Sequence, residues 1–192
     1  MPVGAAARTI GTDNRFSDWG GKMKRHILTA AGIFIGSFII GYVIIAALGL
    51  ELEGEELSYM ESPSFWKLIG QNSLVCLILI TGFGIITVPV GFIQGLVPGI
   101  TLGIWLSAGY GAGSYVLLTL PHGIFEIPAL IISMALGMKF FRVFKNRKKS
   151  PQSLKEVLYS IRYYLIADAA LLAAAALTET FVTGWLFSKI ML

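Results

Sequence analysis

Leu68–Leu120 reads LIGQNSLVCLILITGFGIITVPVGFIQGLVPGITLGIWLSAGYGAGSYVLLTL, 53 residues without one Asp, Glu, Lys or Arg. A transmembrane helix needs about 20 consecutive apolar residues, so this stretch has room for two. The rest of the chain agrees. It is 55% hydrophobic and 14% charged, with a mean hydropathy of +0.74, whereas soluble domains carry about a quarter charged residues. In lipid a helix satisfies its own backbone hydrogen bonds and an open strand does not. The fold expected is an all-α integral membrane bundle.

Charge then sets the number of crossings. The first apolar run, 27–50, follows Lys22, Lys24, Arg25 and His26 and precedes Glu51, Glu53, Glu55, Glu56 and Glu61. Lys and Arg collect on the cytoplasmic side. The N-terminus is thus expected inside, with residues 1–26 as a cytoplasmic tail, and the acidic loop outside. The next basic group is Lys139, Arg142, Lys145, Arg147, Lys148 and Lys149, also inside by that rule. An odd number of crossings must fit between Lys67 and Lys139, and three do: 68–88, 89–110 and 121–141. Pro89 and Pro121 suit the first turns of two of these helices, where a missing N–H is harmless. Ser153 and Glu156 have the spacing of a capping box on a short surface helix. A last span over 163–187 gives about five helices, with residues 27–192 forming one membrane domain and the C-terminus outside.

Several function classes drop out. Residues 1–21 lack the apolar core of a secretory signal. The one cysteine, Cys76, has no partner for a disulfide or a thiolate metal site, and reads as a packing residue. No phosphate loop, Ser-His-Asp set or nucleic-acid module is visible. The positive charge flanks apolar segments, which points to membrane lipids as partners.

Gly91, Gly95, Gly99 and Gly103 recur every four residues and form one smooth stripe on a helix. Such stripes let membrane helices approach closely. The stripe can serve packing within the chain, a homodimer seam, or a broken segment lining a cavity. Pro98 lies within it and Gln94 beside it. Gln94, Asn72 and Asp168 are expected as buried polar positions.

The remaining signal is LPHGIFEIPALII, Leu120–Ile132. His122 and Glu126 are four residues apart and share a helix face. With 1.5 Å rise per residue, Glu126 lies about 8 Å below the outer end of its helix and Glu179 about 12 Å below the outer end of the last one. The three residues are expected to meet in the outer leaflet, with Asp168 at the inner side. Ionisable groups in a membrane are costly, about 3 kcal/mol each on insertion scales. Three roles would justify them: hydrogen bonds that stitch helices together, a divalent metal such as zinc, or a proton or solute path. A zincin motif would need a second nearby histidine, and the only other one is His26.

Leu120–Phe140, LPHGIFEIPALIISMALGMKF, resembles the signature of the stage II sporulation protein M family, Pro-His-Gly-x-x-Glu-x-Pro-Ala before a glycine and a basic loop. The positions that carry it are His122, Gly123, Glu126, Pro128 and Ala129. FWKLIGQNSLVCLILITGFG, from Phe65, and IADAALLAAAALTETFVTGWL, from Ile166, resemble the family's earlier block and its closing helix. Gln94 stands before Gly95 where the family usually has asparagine. The resemblance implies a multi-pass membrane protein; the best-known member is a scaffold for a peptidoglycan-degrading complex during spore engulfment. Members also occur in organisms that form no spores.

The expectation that follows is a non-enzymatic scaffold or assembly protein of the cell membrane. It would be a homodimer in contact with other membrane or envelope proteins, and its His122–Glu126–Glu179 cluster would fix the helices or hold a metal. The alternative is a transporter or permease-like subunit that uses the buried acids as a path. A membrane metallohydrolase is the only enzymatic reading that the residues allow.

Overall fold

The computed structural model describes residues 13–49, 64–146 and 154–183, together with 185, 186 and 189. Every regular element in them is a helix: α1 (Asp13–Leu48), α2 (Phe65–Thr81), α3 (Thr87–Ser107), α4 (Ala112–Lys145) and α5 (Leu154–Thr178), which runs on into a π-helical turn, Glu179–Thr183. Four stretches are long and apolar enough to cross a membrane: Met23–Leu48, Thr87–Ser107, Ala112–Lys145 and Lys155–Thr183. The fifth, α2, is a shorter apolar helix of 17 residues. The acidic loop and Ser153 lie outside the described residues.

Three differences from the sequence reading have physical reasons. First, α4 starts at Ala112, so Pro121 falls inside it and not in its first turn. Exposed Gly111 ends the α3–α4 turn, and its carbonyl accepts from the hydroxyl and backbone N–H of Ser114, which starts the helix early. Second, the surface helix and last span are one continuous α5. Third, α2 ends at Thr81 with Gly82 as its cap, short of position 88, while α3 runs unbroken through Pro98 as a crossing there requires.

Neighbour pairs give the helix directions. Along α1, Phe34, Phe38 and Ile45 lie against Gly95, Gly99 and Gly103 of α3, so these two helices run parallel. On α2, Cys76 meets Ser133 and Leu79 lies against Gly137 of α4, also a parallel pair. Ser133 pairs with Asp168, and His122 with Thr183, so α4 and α5 run antiparallel. The five helices therefore alternate in direction along the chain, as three crossings between Lys67 and Lys139 require. α4 packs against all four others, and its stretch Ser133–Gly137 is wholly buried. The outer faces expose Leu28, Ile35, Ile39, Leu74, Val97, Ile124 and Ile166, a lipid-compatible surface.

The glycine stripe is used inside the chain. A Cβ on Gly95 would collide with the Ser37 hydroxyl and the Phe34 carbonyl, and one on Gly99 with the Phe38 carbonyl. At Gly103 it would stand 2.6 Å from Ile45 Cβ, and at Gly91 it would enter Met134 of α4. α1 returns the favour with Gly41, where a Cβ would strike the Leu96 carbonyl. α1 and α3 thus touch backbone to backbone, the most extensive pairing in the fold. Gly32 and Gly70, by contrast, face open space.

A second close approach closes the α2–α3 corner. Thr87, fully buried, donates its hydroxyl to the Leu79 carbonyl (2.7 Å) and accepts from the Gly84 N–H (3.1 Å). Gly84 takes φ +74°, which glycine adopts without strain. Gly137 lets α4 press on this corner, since a Cβ there would strike the Leu79 carbonyl and the Thr87 side chain. Phe83 stacks edge-on against Phe140 and Phe144.

Two outcomes are expected from unfolding the full chain in detergent, followed by circular dichroism. Gly99→Leu should destabilise by about 1–3 kcal/mol, the usual cost of overpacking, while Gly70→Ala should be neutral or stabilise by up to about 1 kcal/mol. Thr87→Val should cost about 1–3 kcal/mol because it leaves two buried backbone groups unpaired, and Thr87→Ser should recover most of that loss.

Candidate functional site

His122, Glu126, Asp168 and Glu179 fall at two levels of the α4–α5 interface. At the upper level are His122 and Glu126 on α4, with Glu179 and Thr183 on the π-helical turn. His122 Nδ1 lies 3.4 Å from the Thr183 hydroxyl. Glu126 is close enough to Glu179 for the two carboxylates to interact through their charges. All four side chains are half-buried. The π-helical turn is itself positioned by hydroxyls: Thr178 and Thr180 donate to the carbonyls of Ala174 and Ala176, at 2.7 and 2.8 Å. π-helical turns inside α-helices are rare and frequent at functional sites.

At the lower level Ser133 of α4 donates to Asp168 Oδ2 of α5 at 3.0 Å, with both residues buried. The Cys76 thiol of α2 also meets Ser133, so three helices join at one hydroxyl. The other carboxyl oxygen, Asp168 Oδ1, is buried without a hydrogen-bond partner among the described residues. Asp168 had been expected at the inner side. It lies five residues along α5 from Tyr163, opposite Ser133 of α4.

Between the two levels the helices meet through Ala129 and Leu130 on α4 and Leu172, Ala175 and Ala176 on α5, all at 4% exposure or less. This layer is apolar and closely packed. The upper and lower groups are two levels of one α4–α5 interface, and Cys76 of α2 lies within electrostatic range of Asp168 in the lower and Glu126 in the upper.

The expected convergence of His122, Glu126 and Glu179 is therefore realised as a neighbourhood and not as a ligand set. Among the described residues no three His, Cys, Asp or Glu side chains form a group that could hold a metal ion. His122 turns to a threonine hydroxyl, and Glu179 lies within electrostatic range of Glu126 from a different element. Asn72 and Gln94 are half-buried, and neither joins the two clusters. The sequence reading missed Ser133 and Thr183. Their signal was hydroxyl residues at helical spacing from the acids and the histidine, which is weak because Ser and Thr are common in membrane helices.

Comparison with known proteins places this arrangement. The chain is 26% identical over 170 residues to the uncharacterized protein MJ0793 of Methanocaldococcus jannaschii, covering 84% of this chain and 95% of that protein. It is 38% identical over 87 residues to the uncharacterized protein MJ0706 of the same organism, covering 43% of this chain and 40% of that protein. No solved structure gives a significant match. The family described as stage II sporulation protein M matches residues 28–184, a range that takes in the Pro-His-Gly-x-x-Glu-x-Pro-Ala stretch, both polar levels and the glycine stripe. This multi-pass membrane protein belongs to the stage II sporulation protein M family.

Proposed function

We propose that the protein is a non-enzymatic scaffold or assembly factor of the cell membrane, with its intramembrane polar residues serving as clasps between helices. The observation that carries this is the apolar layer of Ala129, Leu130, Leu172, Ala175 and Ala176 between the two polar levels. A path for protons or solutes needs polar groups or water in succession, and this layer interrupts it. Each polar level instead joins helices locally, Ser133 to Asp168 and His122 to Thr183. Hydrogen bonds between membrane helices contribute roughly 0.6–2 kcal/mol each, enough to fix which helices pair. A rigid bundle that presents defined surfaces to neighbours is what an assembly factor requires.

Two measurements test this together. Ser133→Ala should destabilise the detergent-solubilised protein by about 1–3 kcal/mol, because it leaves the buried carboxyl of Asp168 without its donor. In liposomes under a pH gradient the purified protein should pass no protons, and affinity purification from its own membranes should return a partner in fixed ratio. A proton flux abolished by Glu126→Gln at unchanged stability would establish the transporter alternative in its place. Recovery of the protein without any partner would count against the scaffold.

A further inference from the structure

Ser133 faces Asp168 across the antiparallel α4–α5 pair. Arg162, six residues before Asp168, is therefore level with Lys139, six residues after Ser133 and the first basic residue of α4. The same end of the bundle carries exposed Arg142, Lys145 and Lys155. Arg162 thus stands where the apolar part of the bundle gives way to its basic end. Its guanidinium is held in place there. The central carbon lies 3.7 Å from the centre of the Tyr159 ring and 4.7 Å from that of Tyr163, and a terminal N–H donates to the Tyr163 hydroxyl at 2.9 Å. Stacking covers a face of the group and not the edge that carries its N–H donors. The Tyr163 hydroxyl accepts from Arg162 through its oxygen and keeps its own proton to donate. Both tyrosines are exposed, so this donor set lies on the outer surface of the bundle, at the level where tyrosine is enriched in membrane proteins.

Helix geometry fixes what shares that surface. At about 3.6 residues per turn, Tyr159, Arg162, Tyr163, Ile166 and Ala170 fall on one side of α5. Arg162 is half-buried there and the other four are exposed, whereas Val157, Ile161, Asp168 and Leu172, on the opposite side, are all buried. Ile166 and Ala170 lie about 6 and 12 Å further along the helix axis than Arg162. Both depths fall within the roughly 15 Å of hydrocarbon in one leaflet. Lys155, exposed on the same side two turns before Arg162, adds a second positive charge, and Glu156 is set toward the edge of that side. A fixed cation directly above exposed apolar side chains is complementary to an amphipathic anion.

We infer that this side of α5 is a site for an anionic phospholipid, its headgroup phosphate held by Arg162 and the Tyr163 hydroxyl and an acyl chain lying along Ile166 and Ala170. Arginine suits the task because its planar donors match two phosphate oxygens at once. Stacking on the two rings orients the guanidinium in advance, so little side-chain freedom is lost when the phosphate arrives. The negative charge of the cytoplasmic leaflet supplies ligands of this kind at the same level. A free headgroup would take the same donors and leave Ile166 and Ala170 uncovered, which is why the whole lipid is the occupant assigned.

The test is native mass spectrometry of the full chain in a neutral detergent, titrated with phosphatidylglycerol, phosphatidylcholine or glycerol 3-phosphate. Phosphatidylglycerol should bind roughly tenfold more tightly than either of the others. Arg162→Gln should weaken its binding roughly tenfold. Arg162→Lys should weaken it as well, because an ammonium keeps the charge and loses the planar fork. Tyr163→Phe, which keeps the ring and removes the hydroxyl, should weaken it roughly threefold. Arg142→Gln removes a charge at the same end, on α4, and should leave the Kd within about twofold. Equal binding of phosphatidylcholine or glycerol 3-phosphate, undiminished binding by Arg162→Gln or Arg162→Lys, an equal loss in Arg142→Gln, or no phosphatidylglycerol bound by the wild type would each overturn the assignment.

Discussion

The close contact of α1 with α3 is the constraint on which the rest of the bundle depends. Lipid tails are as apolar as leucine, so helices in a membrane gain little from hiding apolar surface against each other. What remains is the sum of many van der Waals contacts, and that sum is large only where backbones come close. Gly95, Gly99 and Gly103 on one side and Gly41 on the other remove every side chain that would hold the two helices apart. With α1 and α3 joined, Gly91 offers a socket for Met134, and α4 is drawn into the centre. α2 is then held at its C-terminal end by Thr87 and Gly137 and along its length by Cys76 against Ser133.

That order of dependence explains why so few polar groups suffice. A glycine stripe fixes distance but is nearly featureless along its length, so it sets rotation and register poorly. Ser133 with Asp168, and His122 with Thr183, add contacts that are made in one register only. Placing them on α4 and α5 complements the stripe, which works on α1 and α3. The stripe sets how closely α1 and α3 approach, and the polar pairs set the register of α4 against α5.

Much of this was legible in the sequence. The absence of charge from Leu68 to Leu120, and the alternation of basic and acidic flanks, were enough for an all-α membrane bundle of about five helices. The four-residue glycine period showed which face of α3 would be approached, though not by which helix: α1 is separated from it by a whole antiparallel helix. The signature around His122 and Glu126 marked the family correctly. Three things lay beyond reach. Whether acids at similar depth would converge on a metal depends on rotation about the helix axes, to which depth estimates are blind. The π-helical turn at Glu179–Thr183 shifts that rotation by an amount no periodicity reveals. The expected surface helix is the first part of α5 itself, which starts at Leu154, before the span read from sequence.

The use of the glycine stripe within one chain, and not between two, is tested most directly by cysteine trapping. In a Cys76→Ala background, Ile45→Cys and Gly103→Cys place two thiols across the α1–α3 contact. A Gly103 Cβ would stand 2.6 Å from that of residue 45, so a slight parting of the helices reaches the roughly 3.5–4.5 Å of a disulfide. Oxidation in native membranes should convert the protein to an internally bridged monomer, resolved on a non-reducing gel, at any expression level. Disulfide-linked dimers in its place would contradict the account and make the stripe a seam between copies of the chain.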